Sequence, residues 1–283
     1  MTVRALSGLR HSMGESLFGL VAGEEGPANR ERIHDRPGPR WFAEDRPIRR
    51  VHADASMFVG GLGALLLQSL HPLAMAAVEA HSGYRGDPWG RLQRTSTFLA
   101  VTTFGVSDDA EAAVRRVRAV HRRVQGISPD GRRYRASDPH LLAWVHVAEV
   151  ECFLRAHQRY GAHPLDEAGR DGYVADMAEV ARRLGVPDPP TTEAELHDQL
   201  EAYRPEIRST SQSRAAARFL LLTPPVAWPL RPAYAVLSAA AVEVLPRWAR
   251  MPLRVPYLPV FEPTVVRTSG QVLTTGIRFV MHG

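Results

Sequence analysis

Ser107-Asp-Asp-Ala-Glu-Ala-Ala-Val114-Arg-Arg-Val117-Arg-Ala-Val120-His121-Arg-Arg-Val124-Gln-Gly126 reads as one helix with both ends marked. Ser107 offers an N-cap oxygen, and Asp108 and Asp109 put negative charge on the first turn, where the helix dipole favours it. Ala113, Val117, Val120 and Val124 recur at helical spacing, and Gly126 supplies a C-terminal stop. The same punctuation continues outward. Asp138-Pro139 offers a cap followed by a proline at the first helical position, opening a helix through Leu141, Trp144, Val145, Cys152 and Phe153 towards Tyr160. Tyr173 to Leu184 closes at Gly185, Thr191/Thr192 opens a helix to Tyr203, and Ser211–Leu222 and Tyr234–Leu245 each end at proline. Strand signals are weak until Val265 to Val280. The fold class is therefore all-α. Residues 1–50 read as an irregular arm rich in Pro, Gly and charge, and 51–283 as one large helical domain with a non-helical C-terminal tail.

At 283 residues and 45% hydrophobic content the chain can bury a substantial core. Its pI near 9.8 is not a nucleic-acid footprint. All 35 basic residues are arginine, they are interleaved with 30 acidic ones, and the net charge is only +5. Substituting arginine for lysine raises the pI without creating a basic patch. The absence of lysine excludes Schiff-base chemistry and a phosphate loop of the Gly-Lys-Ser/Thr type. A single cysteine, Cys152, excludes internal disulfides, cysteine-rich metal sites and covalent Cys-x-x-Cys-His haem. With no signal-peptide pattern at Met1–Arg10, the expected location is the cytoplasm. Ala55 to Val78 is long and uncharged enough to cross a membrane, but Gln68, His71 and Pro72 interrupt it. It reads as a buried helix to about Leu70 and a second from about Pro72 to Ala80. The Pro-broken, Arg-containing stretch from Phe219 to Pro259 suits the core or a peripheral membrane contact.

Polar and cationic groups concentrate between Gln68 and Gly126, where burial without partners costs several kcal/mol each. His121 stands out. It lies one turn after Val117 and three residues before Val124, beside the apolar stripe of a helix otherwise covered by Arg115, Arg116, Arg118, Arg122 and Arg123. A boundary histidine tucked against the core is the plain reading. The functional reading is a neutral nitrogen ligand facing an apolar interior, with arginines nearby for carboxylates, which is what an iron porphyrin needs. Arg91, Arg94 and Thr95 stand at i, i+3 and i+4 and share one helix face, either as a solvated surface or as a polar patch over a bound ligand. His71 and His81 read most simply as helix-break residues capping local carbonyls, and His140, His146 and His157 as packing or surface residues. A ferritin-type di-iron site would need two Glu-x-x-His motifs on helices, and only Glu31 to His34 has that spacing.

Taken in order, Leu-Gln-x-x-His71-Pro72, Glu79-Ala-His81-Ser, Asp87-Pro, Arg91-Leu-x-Arg-Thr95, Phe104-Gly105 and His121-x-x-Val-x-Gly126 resemble the rubber-oxygenase (latex-clearing-protein) and MpaB-type oxygenase domain family. The likeness continues through Tyr134-x-Ala-x-Asp138-Pro, Trp144-Val-His146 and Leu184-Gly-Val-Pro187, and covers roughly residues 50 to 255. It implies a globin-reminiscent helical core holding haem b without covalent attachment, with dioxygen as co-substrate. His121 matches the proximal ligand, and Arg91 and Thr95 match the distal arginine and threonine. Glu79 is the candidate for the family's acidic catalytic residue. Rubber-cleaving members carry lysine directly before that threonine as a second axial ligand. Arg94 stands there in this chain, and arginine is a very poor iron ligand. Arg94 and Arg122 are then the candidates to hold the cofactor's carboxylates.

The implied activity is oxygenation of an apolar, isoprenoid or alkene-bearing small molecule. The competing readings are a non-catalytic haem or lipophile carrier and a peripheral membrane protein. No nucleic-acid partner is expected, and no motif identifies an electron donor.

Overall fold

In the computed structural model, residues 25–83 and 86–281 are described, together with Gly19 and Gly23. The fold is 71% helical, and the described residues form 13 α-helices and one two-stranded hairpin. In chain order these are α1 (Gly26–His34), α2 (Pro47–His52), α3 (Ser56–Gln68), α4 (Pro72–His81), α5 (Pro88–Phe104) and α6 (Ser107–Arg123). The hairpin β1 (Gln125–Ile127) and β2 (Arg133–Arg135) follows, then α7 (Pro139–Tyr160), α8 (Glu167–Leu184) and α9 (Glu193–Tyr203). After a 3-10 turn (Arg204–Glu206) come α10 (Ser211–Leu222), α11 (Arg231–Val244), α12 (Arg247–Leu253) and α13 (Arg267–Met281).

The core forms where α7 crosses α3. Gly60 and Gly63 allow the approach, because a Cβ on Gly60 would stand 2.7 Å from the Phe153 ring and one on Gly63 3.1 Å from Val244. Trp144, Val147, Ala148, Val150 and Cys152 of α7 are fully buried. Each large apolar side chain so buried contributes roughly 1.5–3 kcal/mol. Gln68 fastens the crossing: its Nε2 donates to Val145 O at 3.1 Å, and its own carbonyl accepts from Trp144 Nε1 at 3.2 Å. No single helix among the described residues is long and apolar enough to cross a membrane. The α3–α4 pair passes that test only jointly and bends by 107°.

Asp138 caps α7, accepting from His140 N at 2.9 Å, and Thr192 caps α9 through Glu195 N at 3.2 Å. Four expectations change. Part of the supposed arm is helical, as α1 and α2. The C-terminal segment is helix α13 rather than a non-helical tail: Thr274 Oγ1 donates to Tyr160 O at 3.2 Å, and Arg278 Nε pairs with Asp54 at 2.8 Å. Ser107 is the first helical residue of α6 rather than its cap, with Val106 in the capping position and the Ser107 N–H donated to Pro39 O. Finally, α6 ends at Arg123, so Gly126 belongs to β1, where it faces Tyr134 across the hairpin.

Candidate functional site

Helices α5 and α6 are joined through Gly105 and Val106 and pack against each other. Counting back from the turn, Arg91 and His121 each lie about 20 Å along their helices at 1.5 Å per residue. Arg91, Arg94 and Thr95 thus lie in the half of α5 remote from the turn, and His121 in the half of α6 remote from it. Glu79 lies near the end of α4, which the short link from Ser82 to Asp87 connects to the start of α5.

The buried stripe of α6 differs in phase from the sequence reading. Ala110 and Val114 are buried and Val117 is half-buried, whereas Val120 is 53% exposed. His121 completes the series 110, 114, 117, 121, so it lies on the stripe rather than beside it. Burial holds its imidazole below the ordinary histidine pKa, keeping it neutral, and Nδ1 is buried with no hydrogen-bond partner. An orphaned buried nitrogen costs about 1–3 kcal/mol, and a Lewis acid would relieve that cost.

The start of α5 is more open. Asp87 caps it, accepting from Gly90 N at 2.8 Å, so Trp89 and Gly90 are already helical. Arg94 is exposed and pairs with Asp87 at 3.3 Å. Thr95 is exposed, and its hydroxyl donates to Arg91 O at 3.0 Å. Its proton is thus spent on its own helix, and the oxygen remains available as an acceptor. Arg91 is half-buried and Arg122 is exposed.

The model of the family described as "ER-bound oxygenase mpaB/B'/Rubber oxygenase, catalytic domain" matches residues 49–276. The chain belongs to that family. The family's description is that of an oxygenase catalytic domain. Two uncharacterized proteins, from Mycobacterium bovis and Mycobacterium tuberculosis, are each 31% identical over 131 residues. Those matches cover 46% of this chain and 48% of each relative, so they span about half the length of the curated relatives. No solved structure matches the chain.

For a member of the mpaB/rubber-oxygenase family, haem is the implied cofactor, and the donor chemistry fits it. His121 presents a neutral, buried, unpartnered imidazole nitrogen on an apolar helix face, while exposed arginines, Arg115, Arg116, Arg122 and Arg123 among them, line the rest of α6.

A largely buried polar layer, of which only His146 stands out in the sequence, lies behind α5. His52 Nδ1 meets Thr103 Oγ1 at 2.8 Å and its Nε2 meets Tyr173 OH at 3.3 Å, and burial pushes the His52 pKa down to about 3. On α7, burial and the nearby Arg182 push His146 down to about 4, and its Nε2 is also buried without a partner. Glu149, one turn further on, is driven up to about 7 by burial and helps raise the Tyr173 phenol. Only the fold exposes these groups, because Val145-His-Val-Ala-Glu-Val150 reads as ordinary helix.

Glu149 has a stability consequence. Its folded pKa lies above the ordinary glutamate value of 4.5, so the folded state binds the proton more tightly. Stability from this group is fully present below about pH 4.5 and is lost as pH rises through about 7. At 1.36 kcal/mol per unit the loss is on the order of 3 kcal/mol. Glu149→Gln should therefore unfold at higher temperature than the parent at pH 8, and the gap should close by pH 4.5. A gap independent of pH would contradict the assignment.

Proposed function

We propose that this chain is a haem b-dependent oxygenase that uses dioxygen to oxidise an apolar, isoprenoid or alkene-bearing small molecule. The observation that carries the reading is the buried, unpartnered Nδ1 of His121 on the apolar stripe of α6; Arg91, Arg94 and Thr95 stand on α5, the helix packed against it. His121 would hold haem from one side, and the exposed Arg94 and Arg122 would meet its carboxylates, Arg94 by exchanging its pairing with Asp87. When bound, haem supplies the activation of dioxygen.

The chain's own groups account for the remainder. Arg91 brings a fixed positive charge to the site, where it stabilises developing negative charge. Thr95 offers an accepting oxygen, or a donor if its hydroxyl turns away from Arg91 O. Glu79, the candidate for the family's acidic residue, would carry the proton. Arg94 stands where rubber-cleaving members carry lysine and would not ligate iron, so the haem-loaded protein should bind added imidazole or cyanide readily.

Exposed apolar side chains between Met251 and Met281, including Val260, Phe261, Val272 and Phe279, support a peripheral contact with an apolar phase from which such a substrate is drawn.

Titration with haemin, followed by absorption in the Soret region, tests the reading, and a protein that ignores haemin refutes it. Two variants separate oxygenase from carrier. Thr95→Ala and Arg91→Ala should retain haem but lower oxygen-dependent turnover of an isoprenoid, by roughly tenfold to a hundredfold for a charge-assisted hydrogen bond of 1.5–3 kcal/mol. If both variants lose haem while oxygen reactivity per haem is unchanged, these residues are cofactor anchors and the carrier reading moves ahead.

A further inference from the structure

We propose that His71, His140 and Glu206 form a second metal site, separate from His121, that takes one divalent transition-metal ion through two imidazoles and one carboxylate. The three residues are far apart in sequence and meet because three element ends converge. His71 precedes α4 as its N-cap, His140 lies in the first turn of α7, and Glu206 ends the 3-10 turn after α9. Their ligating atoms all lie within 4.8 Å of one another. Glu206 Oε2 stands 3.4 Å from His71 Nε2, and its two oxygens stand 2.8 and 3.0 Å from His140 Nε2. Ligands held tetrahedrally about 2.0–2.1 Å from a zinc ion are about 3.3 Å apart, so the cluster needs only a small adjustment to accept one.

Hydrogen bonding around the cluster prepares His140 as a ligand. The Tyr203 hydroxyl donates to His140 O at 2.7 Å, so its oxygen can only accept from His140 Nδ1 at 3.4 Å. With a proton on Nδ1, a neutral His140 turns the Nε2 lone pair towards the Glu206 carboxylate. Two lone-pair-bearing atoms cannot face each other at 2.8 Å without a cation between them, either a proton or a metal ion. An imidazole whose far nitrogen is fixed by a neighbouring oxygen is the usual outer-shell arrangement of a histidine ligand.

His71 differs. Its ring is fully buried against Trp144 and Tyr203, and its Nδ1 accepts from Ala74 N at a long 3.5 Å. Metal binding at Nε2 requires its proton to move to Nδ1, which gives up only that weak cap. His140 and Glu206 have side chains 54% and 41% exposed, so an ion can enter from solvent and keep water in its open positions. Two imidazoles and a carboxylate suit zinc or ferrous iron.

The test uses the full chain, freed of metal by chelation and dialysed against zinc chloride at neutral pH, with bound zinc counted by mass spectrometry. Saturable uptake of one zinc ion is expected, together with a zinc-dependent rise in the unfolding midpoint. His140→Ala and Glu206→Gln, both at exposed positions, should weaken uptake at least about tenfold and abolish the midpoint rise. His121→Ala should keep both, which separates this site from the haem reading. Absence of saturable zinc in the parent protein overturns the proposal, as does undiminished binding in both variants.

Discussion

His121→Ala should bind haemin at least about a hundredfold more weakly than the parent protein, with loss of the Soret band at haemin concentrations that saturate the latter. Groups that merely orient a metal ligand are worth 10–100-fold, and removal of the ligand itself must cost more. The same residue makes a second, opposite expectation about the protein without cofactor. An unpartnered buried nitrogen destabilises the fold by about 1–3 kcal/mol. Replacing the ring by an apolar side chain of similar size, His121→Leu, should therefore leave stability unchanged or raise it while haemin binding is lost. A histidine kept for packing would give the reverse pattern. Since His146 also carries an orphaned nitrogen, His146→Ala serves as the comparison. Haem retained in the His121 variants but lost in His146→Ala would move the ligand assignment to α7.

What the sequence makes legible here is mostly local. Asp138 and Thr192 cap their helices as their chemistry suggests, because a side-chain oxygen two or three residues before a free N–H needs no tertiary help. The phase of α6 is not local. Two apolar stripes overlap on that helix, one through Val120 and one through Val114, and packing against α5 and α8 selects the second. That selection turns His121 from a boundary residue into a member of the buried face. Val265 to Val280, rich in β-branched residues, carries the weak strand signal of the chain, yet it folds as a π turn followed by α13. Anchors at Tyr160 and Asp54, remote in sequence, outweigh the local preference.

The site divides along the same line. Arg91, Arg94, Thr95 and His121 can be singled out from sequence because they sit within about thirty residues of one another on two adjacent helices. His71 was expected to cap carbonyls, but its ring accepts a backbone N–H and faces Glu206. His81 likewise meets the Tyr134 hydroxyl at 3.1 Å. Residues 71, 140 and 206 come together only through the fold. Glu149 and His52 became visible only once their burial was known.

Glu262→Ala should lower stability by about 3–5 kcal/mol, the cost of leaving a buried charge without its partner. That corresponds to a fall in Tm on the order of 10 °C for a chain of this size. The charge concerned is Arg250, which is buried in the C-terminal layer. Its Nη1 reaches both Glu262 oxygens at 2.7 and 2.8 Å, and its Nη2 donates to Glu243 O at 2.7 Å. Glu262 also accepts from Leu258 N at 2.9 Å, so one carboxylate fixes both the guanidinium and the turn that leads into α13. Without it, Arg250 keeps its charge in the protein interior with backbone carbonyls and the Tyr257 ring, 5.3 Å away, to answer it. The attraction within such a pair roughly offsets its desolvation, so the loss measures the stranded charge rather than the strength of the bond. Replacing both partners should accordingly recover most of the stability, with Arg250→Met/Glu262→Leu unfolding near the parent temperature. Haemin binding at α6 should be unchanged in the double variant. If Glu262→Ala costs less than about 1 kcal/mol, water reaches Arg250 and the clasp is a surface feature. If the double variant is as unstable as the single one, the ion pair contributes through its directional hold on the turn, and α13 is positioned by that geometry rather than by its contacts with Tyr160.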